Sequence, residues 1–181
     1  MNIFISGGCK NGKSFFAQQK AREQAELLGR PLYYLATMIP VDEEDQSRIS
    51  RHVEERAGWG FRTVEQGRNI LGALERTDPG GVFLLDSVTA LLSNEMFDEK
   101  GNVDLTAPER LKNDLAEFAE RTGNTIFVSD FIYGDAMGYE ALTERYRAGL
   151  ALCDRTLAKV CQQVIEVSYG SLNYFKRQDE Q

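Results

Sequence analysis

The chain has 181 residues, with 28 acidic and 21 basic side chains, one histidine and three cysteines, and its formal net charge is -7. The length predicts one domain, residues 1–181, and the acidic balance argues against a nucleic-acid-binding protein or a basic membrane patch. Unpaired cysteines predict a cytoplasmic protein with reduced thiols, and we expect no signal peptide, no membrane span and no zinc site.

Short apolar runs alternate with helical patterns along the chain. The runs predict strands at residues 2–6, 31–37, 61–65, 82–86, 125–129 and 164–167. The intervening patterns predict helices at residues 14–28, 43–57, 69–75, 88–97, 107–121 and 139–162. Continuous apolar strands that alternate with helices indicate an α/β fold, with a mostly parallel central sheet and helices on both faces.

Residues 7–14 form the strongest motif. The phosphate-binding pattern G-x-x-x-x-G-K-[ST] is matched in full by Gly7, Gly8, Cys9, Lys10, Asn11, Gly12, Lys13 and Ser14. A predicted strand precedes the motif and a predicted helix follows, so backbone N–H groups and the helix N-terminus would face an anion. We expect Lys13 to reach the terminal phosphates and the Ser14 hydroxyl to bind Mg²⁺. The alternative is a glycine-rich turn followed by a chance Lys-Ser pair.

Two further residues are candidates for the same chemistry. Asp86 ends the strand VFLLD, where a nucleotide-binding enzyme places its Mg²⁺-side carboxylate, although an N-cap of the next helix explains it too. His52 lies on a predicted helix one turn from both Arg48 and Arg56. Two cations suit a site for polyphosphate, and a neutral imidazole is a nucleophile at phosphorus. A surface histidine on a solvated helix is the alternative.

Five stretches, taken in order, resemble the bifunctional adenosylcobinamide kinase / adenosylcobinamide-phosphate guanylyltransferase family of cobalamin biosynthesis. They are ISGGCKNGKS, YYLATM, RISRHVEER, FRTVE and VFLLDSVTALLSNEMF. The resemblance implies a RecA-like P-loop NTPase fold and a homo-oligomer, typically a trimer. It implies a transferase that uses ATP or GTP with Mg²⁺ and acts on adenosylcobinamide.

The resemblance also implies the roles of particular residues. His52 and Lys13 correspond to catalytic residues, and His52 is the position that becomes guanylylated. The implied nucleotide contacts are Gly7, Gly8, Cys9, Lys10, Asn11, Gly12, Lys13, Ser14, Ala36, Thr37, Met38, Val53, Glu54, Glu55, Arg56, Glu65 and Asp86. Ser14 and Asp86 would hold Mg²⁺ together with the nucleotide. The implied reactions are phosphorylation of adenosylcobinamide, and transfer of GMP from GTP to its phosphate by way of guanylyl-His52.

The C-terminal third departs from the family pattern. The family's T-N-E-V-G stretch is replaced here by Ser129-Asp130-Phe131-Ile132-Tyr133-Gly134, its R-D-x-x-G by Arg147-Ala148-Gly149, and its N-Q pair by Asp154-Arg155. These changes alter charge and hydrogen bonding on the side that would receive the acceptor. They leave two alternatives open: a diverged small-molecule kinase or nucleotidyltransferase with another acceptor, or a non-catalytic nucleotide-binding subunit.

Overall fold

The structure, a computed structural model, describes residues 1–177 and every side chain among them except Glu44, Arg48, Arg51, His52 and Glu55. Its strands are β1 (Ile3–Gly7), β2 (Leu32–Ala36), β3 (Phe61–Glu65), β4 (Val82–Asp86), β5 (Thr125–Asp130), β6 (Gln163–Ser168) and β7 (Ser171–Lys176). Its helices are α1 (Lys13–Leu28), α2 (Glu43–Glu55), α3 (Val88–Met96), α4 (Ala107–Thr122) and α5 (Ala141–Val160), with a 3₁₀ helix at Ile70–Arg76.

The strands form one sheet in the order β3-β2-β4-β5-β1-β6-β7. Every neighbouring pair is parallel except β6 and β7, which are antiparallel. The predicted, mostly parallel sheet is therefore confirmed. The order also separates β1 from β4, because β5 lies between them.

Alternate residues of the buried strands contribute to two separate apolar cores. On β4, Val82 and Leu84 face α1, whereas Phe83 and Leu85 face the layer formed by α3, α4 and α5. This alternation follows from the pleat of a strand, in which successive side chains point to opposite faces. Helices thus cover both faces, as predicted, and a residue's position in its strand decides which layer it meets.

Two elements differ from the prediction. The segment Ile70–Arg76 is a 3₁₀ helix instead of an α-helix, as expected for seven residues interrupted by Gly72, which are too few to stabilise an α-helix. The edge strand β7 was not predicted. It pairs with β6 through a two-residue turn at Tyr169 and Gly170, both with positive φ.

Among the described residues, no helix combines the length and the apolar composition that a membrane span requires. The last four residues of the predicted single domain, 178–181, lie outside the described residues.

Candidate active site

The loop of residues 7–14 joins β1 to α1 at the carboxyl edge of the sheet. Gly12 caps α1 with a left-handed backbone (φ 86°), a conformation that glycine adopts without strain. The Asn11 amide braces the loop from inside: its Nδ2 donates to the Val167 carbonyl, and its Oδ1 accepts from the Lys13 amide at 3.2 Å. A Cβ on Gly7 would collide with that same carbonyl oxygen, so this position requires glycine. The loop is therefore held against the end of β6.

Lys13 lies folded over this loop. Its Nζ is 2.5 Å from Oδ1 of Asp130, the last residue of β5, and it donates to the Gly8 carbonyl at 3.1 Å. Lys13 is 7% exposed, so the ammonium is ordered and largely shielded from solvent. Among the described side chains and backbone groups, none forms a hydrogen bond with the Ser14 hydroxyl, which leaves it available to a metal ion carried by a nucleotide.

Three predicted contact residues lie in one row across the sheet. Ala36 of β2 is level with Glu65 of β3 on one side and with Asp86 of β4 on the other. Strands in a sheet are about 4.8 Å apart, so the two acidic residues are roughly 10 Å apart at their Cα atoms. The small side chain of Ala36 leaves room between the two carboxylates.

An aromatic side chain and a cation line the space above this row. The Tyr34 hydroxyl donates to Oδ2 of Asp86 at 3.1 Å. The Arg56 guanidinium lies 3.9 Å from the centre of the Tyr34 ring and is 6% exposed, and one of its nitrogens donates to the Thr63 hydroxyl at 3.3 Å. The buried guanidinium of Arg56 is thus stacked on Tyr34, next to the row that holds Glu65 and Asp86.

These groups line a cavity of about 560 Å³. Its walls include five residues that the sequence indicated, Ala36, Met38, Arg56, Glu65 and Asp86, together with Gln46, Ile49 and Ser50 of α2. None of residues 7–14 lines it, so the phosphate loop and the cavity are neighbouring but separate parts of one edge. The volume is in the range of small-molecule sites.

Other predicted contacts lie elsewhere. Thr37 is fully buried: its hydroxyl donates to the Ser87 carbonyl and accepts from the Ser87 amide, which ties the end of β2 to the start of α3. Val53 and Glu54 are exposed on α2 and do not line the cavity. His52 and Glu55 belong to α2, but their side chains lie outside the described ones. The roles proposed for all of these residues remain predictions.

The alternative role of Asp86 as an N-cap is taken by its neighbour. Ser87 is the N-cap of α3, and its hydroxyl accepts from the Ala90 amide at 3.2 Å. The Asp86 side chain lines the cavity instead.

A further acidic residue, Asp154, is buried beneath the loop that follows β5. Asp154 of α5 is 3% exposed and accepts a hydrogen bond from the Tyr133 hydroxyl at 2.9 Å. Burial raises the pKa of Asp154 to about 7, against the opposing effects of the Ser129 and Tyr133 hydroxyls, and the charge of Asp130 adds to the rise. Its Oδ1 atom and the Ser129 hydroxyl lack a well-formed hydrogen bond within residues 1–177.

The sequence analysis gave no phosphate-site role to Asp130, the partner of Lys13. Asp130 ends an apolar strand just as Asp86 does, and that pattern was a usable signal. It also missed the stacking of Arg56 on Tyr34, which no local pattern predicts, because the two residues are 22 positions apart.

Comparison with known proteins agrees with this arrangement. The model of a protein family described as "Cobinamide kinase / cobinamide phosphate guanyltransferase" matches residues 3–173, from β1 into β7. The chain belongs to this family. The loop, α2 with His52, and the cavity all fall inside the matched range of the cobinamide kinase / guanyltransferase family.

Two individual proteins illustrate the relationship. The bifunctional adenosylcobalamin biosynthesis protein CobU of Escherichia coli (strain K12) is 34% identical over 105 residues, which are 58% of this chain and 55% of that protein. The match thus spans about half the length of this relative. The ATPase domain of G40P is 10% identical, with a TM-score of 0.53 over 98% of this chain and 77% of that one. That likeness concerns the fold alone, and it confirms the predicted RecA-like P-loop architecture.

Proposed function

We propose that this member of the family phosphorylates adenosylcobinamide with ATP or GTP, and then transfers GMP from GTP to adenosylcobinamide phosphate through a guanylyl group on His52. The observation that carries the proposal is the adjacency of two sites. A phosphate loop with an ordered lysine and a nucleotide-sized cavity share one edge of the sheet, and α2 lies over the cavity.

The kinase reaction is assigned to the loop. Its backbone N–H groups and the N-terminus of α1 would hold the phosphates, and Lys13 would neutralise charge that develops on the transferring group. A Mg²⁺ ion bound with the nucleotide would supply charge neutralisation at the phosphates. The Ser14 hydroxyl, which makes no hydrogen bond among the described side chains and backbone, would hold that ion, and Asp86 is the carboxylate proposed for it.

The cavity is assigned to the nucleotide that donates GMP. Carboxylates accept hydrogen bonds from N–H groups, so Glu65 suits the donor edge of a guanine base. Arg56 contributes a cation that would attract phosphate. The stacking of Arg56 on Tyr34 and the hydroxyl of Tyr34 on Asp86 would keep both groups in position.

His52 is assigned the nucleophilic role. Its imidazole nitrogen would attack the α-phosphorus of GTP and form a P–N bond, while the bond to the bridging oxygen breaks and pyrophosphate leaves with the electron pair. A phosphate oxygen of adenosylcobinamide phosphate would then displace the imidazole, which restores His52. Such a covalent intermediate divides one difficult displacement into two easier ones. Ile49 and Ser50 on the same helix line the cavity, which supports this assignment.

The proposal is tested by incubating the protein with GTP labelled at the α-phosphate. We expect acid-labile, alkali-stable label on the chain, and its loss in His52→Asn. Because the chain has one histidine, no other imidazole can take the label. Label that survives His52→Asn, or none on the wild-type chain, would overturn the guanylyl-histidine.

The kinase half is tested with labelled γ-phosphate and adenosylcobinamide. We expect Lys13→Ala to abolish transfer. Lys20→Ala removes a lysine from the same helix whose ammonium pairs with Glu23, and it serves as the matched control. A wild-type protein that binds nucleotide but does not phosphorylate adenosylcobinamide would favour a different acceptor. We also propose a homo-oligomer, typically a trimer in this family, which sedimentation velocity measures directly.

A further inference from the structure

Asp130 is the carboxylate nearest the phosphate loop. Its Oδ1 is 2.5 Å from Lys13 Nζ, and its backbone N–H donates to the Thr89 hydroxyl at 2.8 Å, which fixes the end of β5 against α3. The register of the sheet makes Asp130 level with Gly7, the first residue of the loop. A lysine that binds phosphate does so at about 2.8 Å, so an Asp130 oxygen falls within about 5–6 Å of a phosphate oxygen held by Lys13.

Asp86 lies farther from the loop. It is level with Val128 of β5, two residues before Asp130, and β5 separates it from β1. Its carboxylate accepts from Tyr34 and faces the cavity. Asp154 is 3% exposed and lies beneath the loop that follows β5. Of these three acids, Asp130 is the one positioned beside the transferring phosphate.

The Asp130 side chain is partly accessible to solvent. It is 23% exposed, and the next residue, Phe131, is 47% exposed. The Phe131 ring is fixed despite its exposure: it packs edge-on against Tyr133, with ring centres 4.8 Å apart, and it covers Gly134, where a Cβ would collide with it. The pleat of β5 directs this ring to the opposite face of the sheet from Asp130, where it lines a groove with Tyr133 and Asp154.

The segment that carries this ring is anchored to α5. Arg147, itself 7% exposed, donates to the Ile132 carbonyl at 3.2 Å and pairs with Asp135 at 2.7 Å and with Glu144 at 2.8 Å.

We infer that Asp130 is the proton acceptor in phosphoryl transfer. The inference rests on the proposed kinase function. The hydroxyl oxygen forms a bond to the γ-phosphorus, and the bond from that phosphorus to the bridging oxygen breaks, so its electron pair leaves with the nucleoside diphosphate. The hydroxyl proton passes to the Asp130 carboxylate and then to water.

The titratable groups around Asp130 come from three elements. Lys13 and Cys9 lie on the loop side, with the Cys9 sulfur 3.9 Å from Oδ1. Asp154 and Tyr146 of α5 interact with its charge from the other side. Any pH dependence of the reaction has to be interpreted together with the ionisation of these four groups.

The test compares Asp130→Asn, Asp130→Glu and the wild type in steady-state phosphorylation of adenosylcobinamide between pH 5.5 and 8.5. Asp114→Asn, the same exchange on the remote helix α4, is the control. We expect Asp130→Asn to lower kcat by roughly 10²–10⁴-fold, the usual contribution of general base catalysis, and to change the KM for ATP less than about threefold. We also expect Asp130→Glu, which keeps the carboxylate, to recover part of the rate.

Labelling with α-phosphate-labelled GTP separates this role from a merely structural one. We expect Asp130→Asn to take up label as the wild type does, because guanylylation needs no proton transfer to Asp130. A kcat within threefold of wild type would overturn the inference. A parallel loss of kinase rate, ATP binding and labelling would also overturn it, because Asp130 would then only maintain the loop; Asp130→Ala repeats the comparison if Asp130→Asn does not fold. A wild type that phosphorylates no adenosylcobinamide would instead refute the proposed function.

Discussion

Asp154 allows a quantitative prediction, because it is a buried acid that lacks a cationic partner among the described residues. Its carboxyl accepts one hydrogen bond from Tyr133, and burial raises its pKa from the ordinary 3.8 to about 7. Below pH 3.8 the carboxyl is protonated in both the folded and the unfolded chain. Between pH 3.8 and 7 the folded protein keeps a proton that the unfolded chain has lost. The free energy of unfolding therefore falls as pH rises through this interval, and the loss is complete above pH 7.

The size of the effect follows from the pKa values. One pKa unit corresponds to about 1.4 kcal/mol, so the ionised carboxyl destabilises the folded protein by about 4 kcal/mol above pH 7. Of this, about 3 kcal/mol develops between pH 5 and pH 8. Asp154→Asn replaces the acid with a neutral amide of similar shape. The amide oxygen can still accept from Tyr133, and its NH₂ group can donate to the Ser129 hydroxyl, which lacks a good partner within residues 1–177.

The assay is urea denaturation of the wild type and Asp154→Asn at pH 5 and at pH 8. We expect the stability advantage of the variant to grow by about 3 kcal/mol between the two, while other titrating groups affect both proteins alike. Tyr133→Phe removes a donor that stabilises the carboxylate, so it should make the wild-type trend steeper. A constant difference between the wild type and Asp154→Asn from pH 5 to pH 8 would refute the reasoning.

Three further predictions concern the core and the cavity. Phe83→Ala removes a fully buried ring that packs against Phe118 at 5.4 Å, so it should lower the free energy of unfolding by about 3–5 kcal/mol in urea denaturation; a loss under 1 kcal/mol would contradict this packing. Thr37→Val removes the acceptor of the half-buried Ser87 amide and one of two donors to the Ser87 carbonyl, which keeps its bond from the Leu91 amide, and it should cost about 1–3 kcal/mol in the same measurement; an unchanged midpoint would contradict this role of the Thr37 hydroxyl. Tyr34→Phe removes the donor to Asp86, so GTP binding measured by calorimetry should weaken by roughly 2–12-fold, and equal affinity would show that the hydroxyl does not position Asp86.

Local sequence patterns predicted most of the fold, because the formation of a strand, helix or turn depends strongly on neighbouring residues. Apolar runs and turn residues marked the six parallel strands to within one or two residues, and β3 and β4 were located without error. The strand β7 escaped because its residues are mostly exposed and show no clear alternation. The segment forms a strand because it pairs with β6, and a pattern within one segment does not report how that segment pairs with another.

The candidate site likewise has one part that the local sequence predicts and another that only the fold positions. The sequence by itself determined the phosphate loop, because its glycines, its lysine and its serine act through backbone that is contiguous in the chain. Only the tertiary structure decided which acid stands beside Lys13. Asp86 and Asp130 end equivalent apolar strands, and it is the insertion of β5 between β1 and β4 that makes Asp130 level with the loop and turns Asp86 towards the cavity. Strand order depends on pairings between residues more than 100 positions apart, such as Ile3 with Ile126, and no local pattern encodes them.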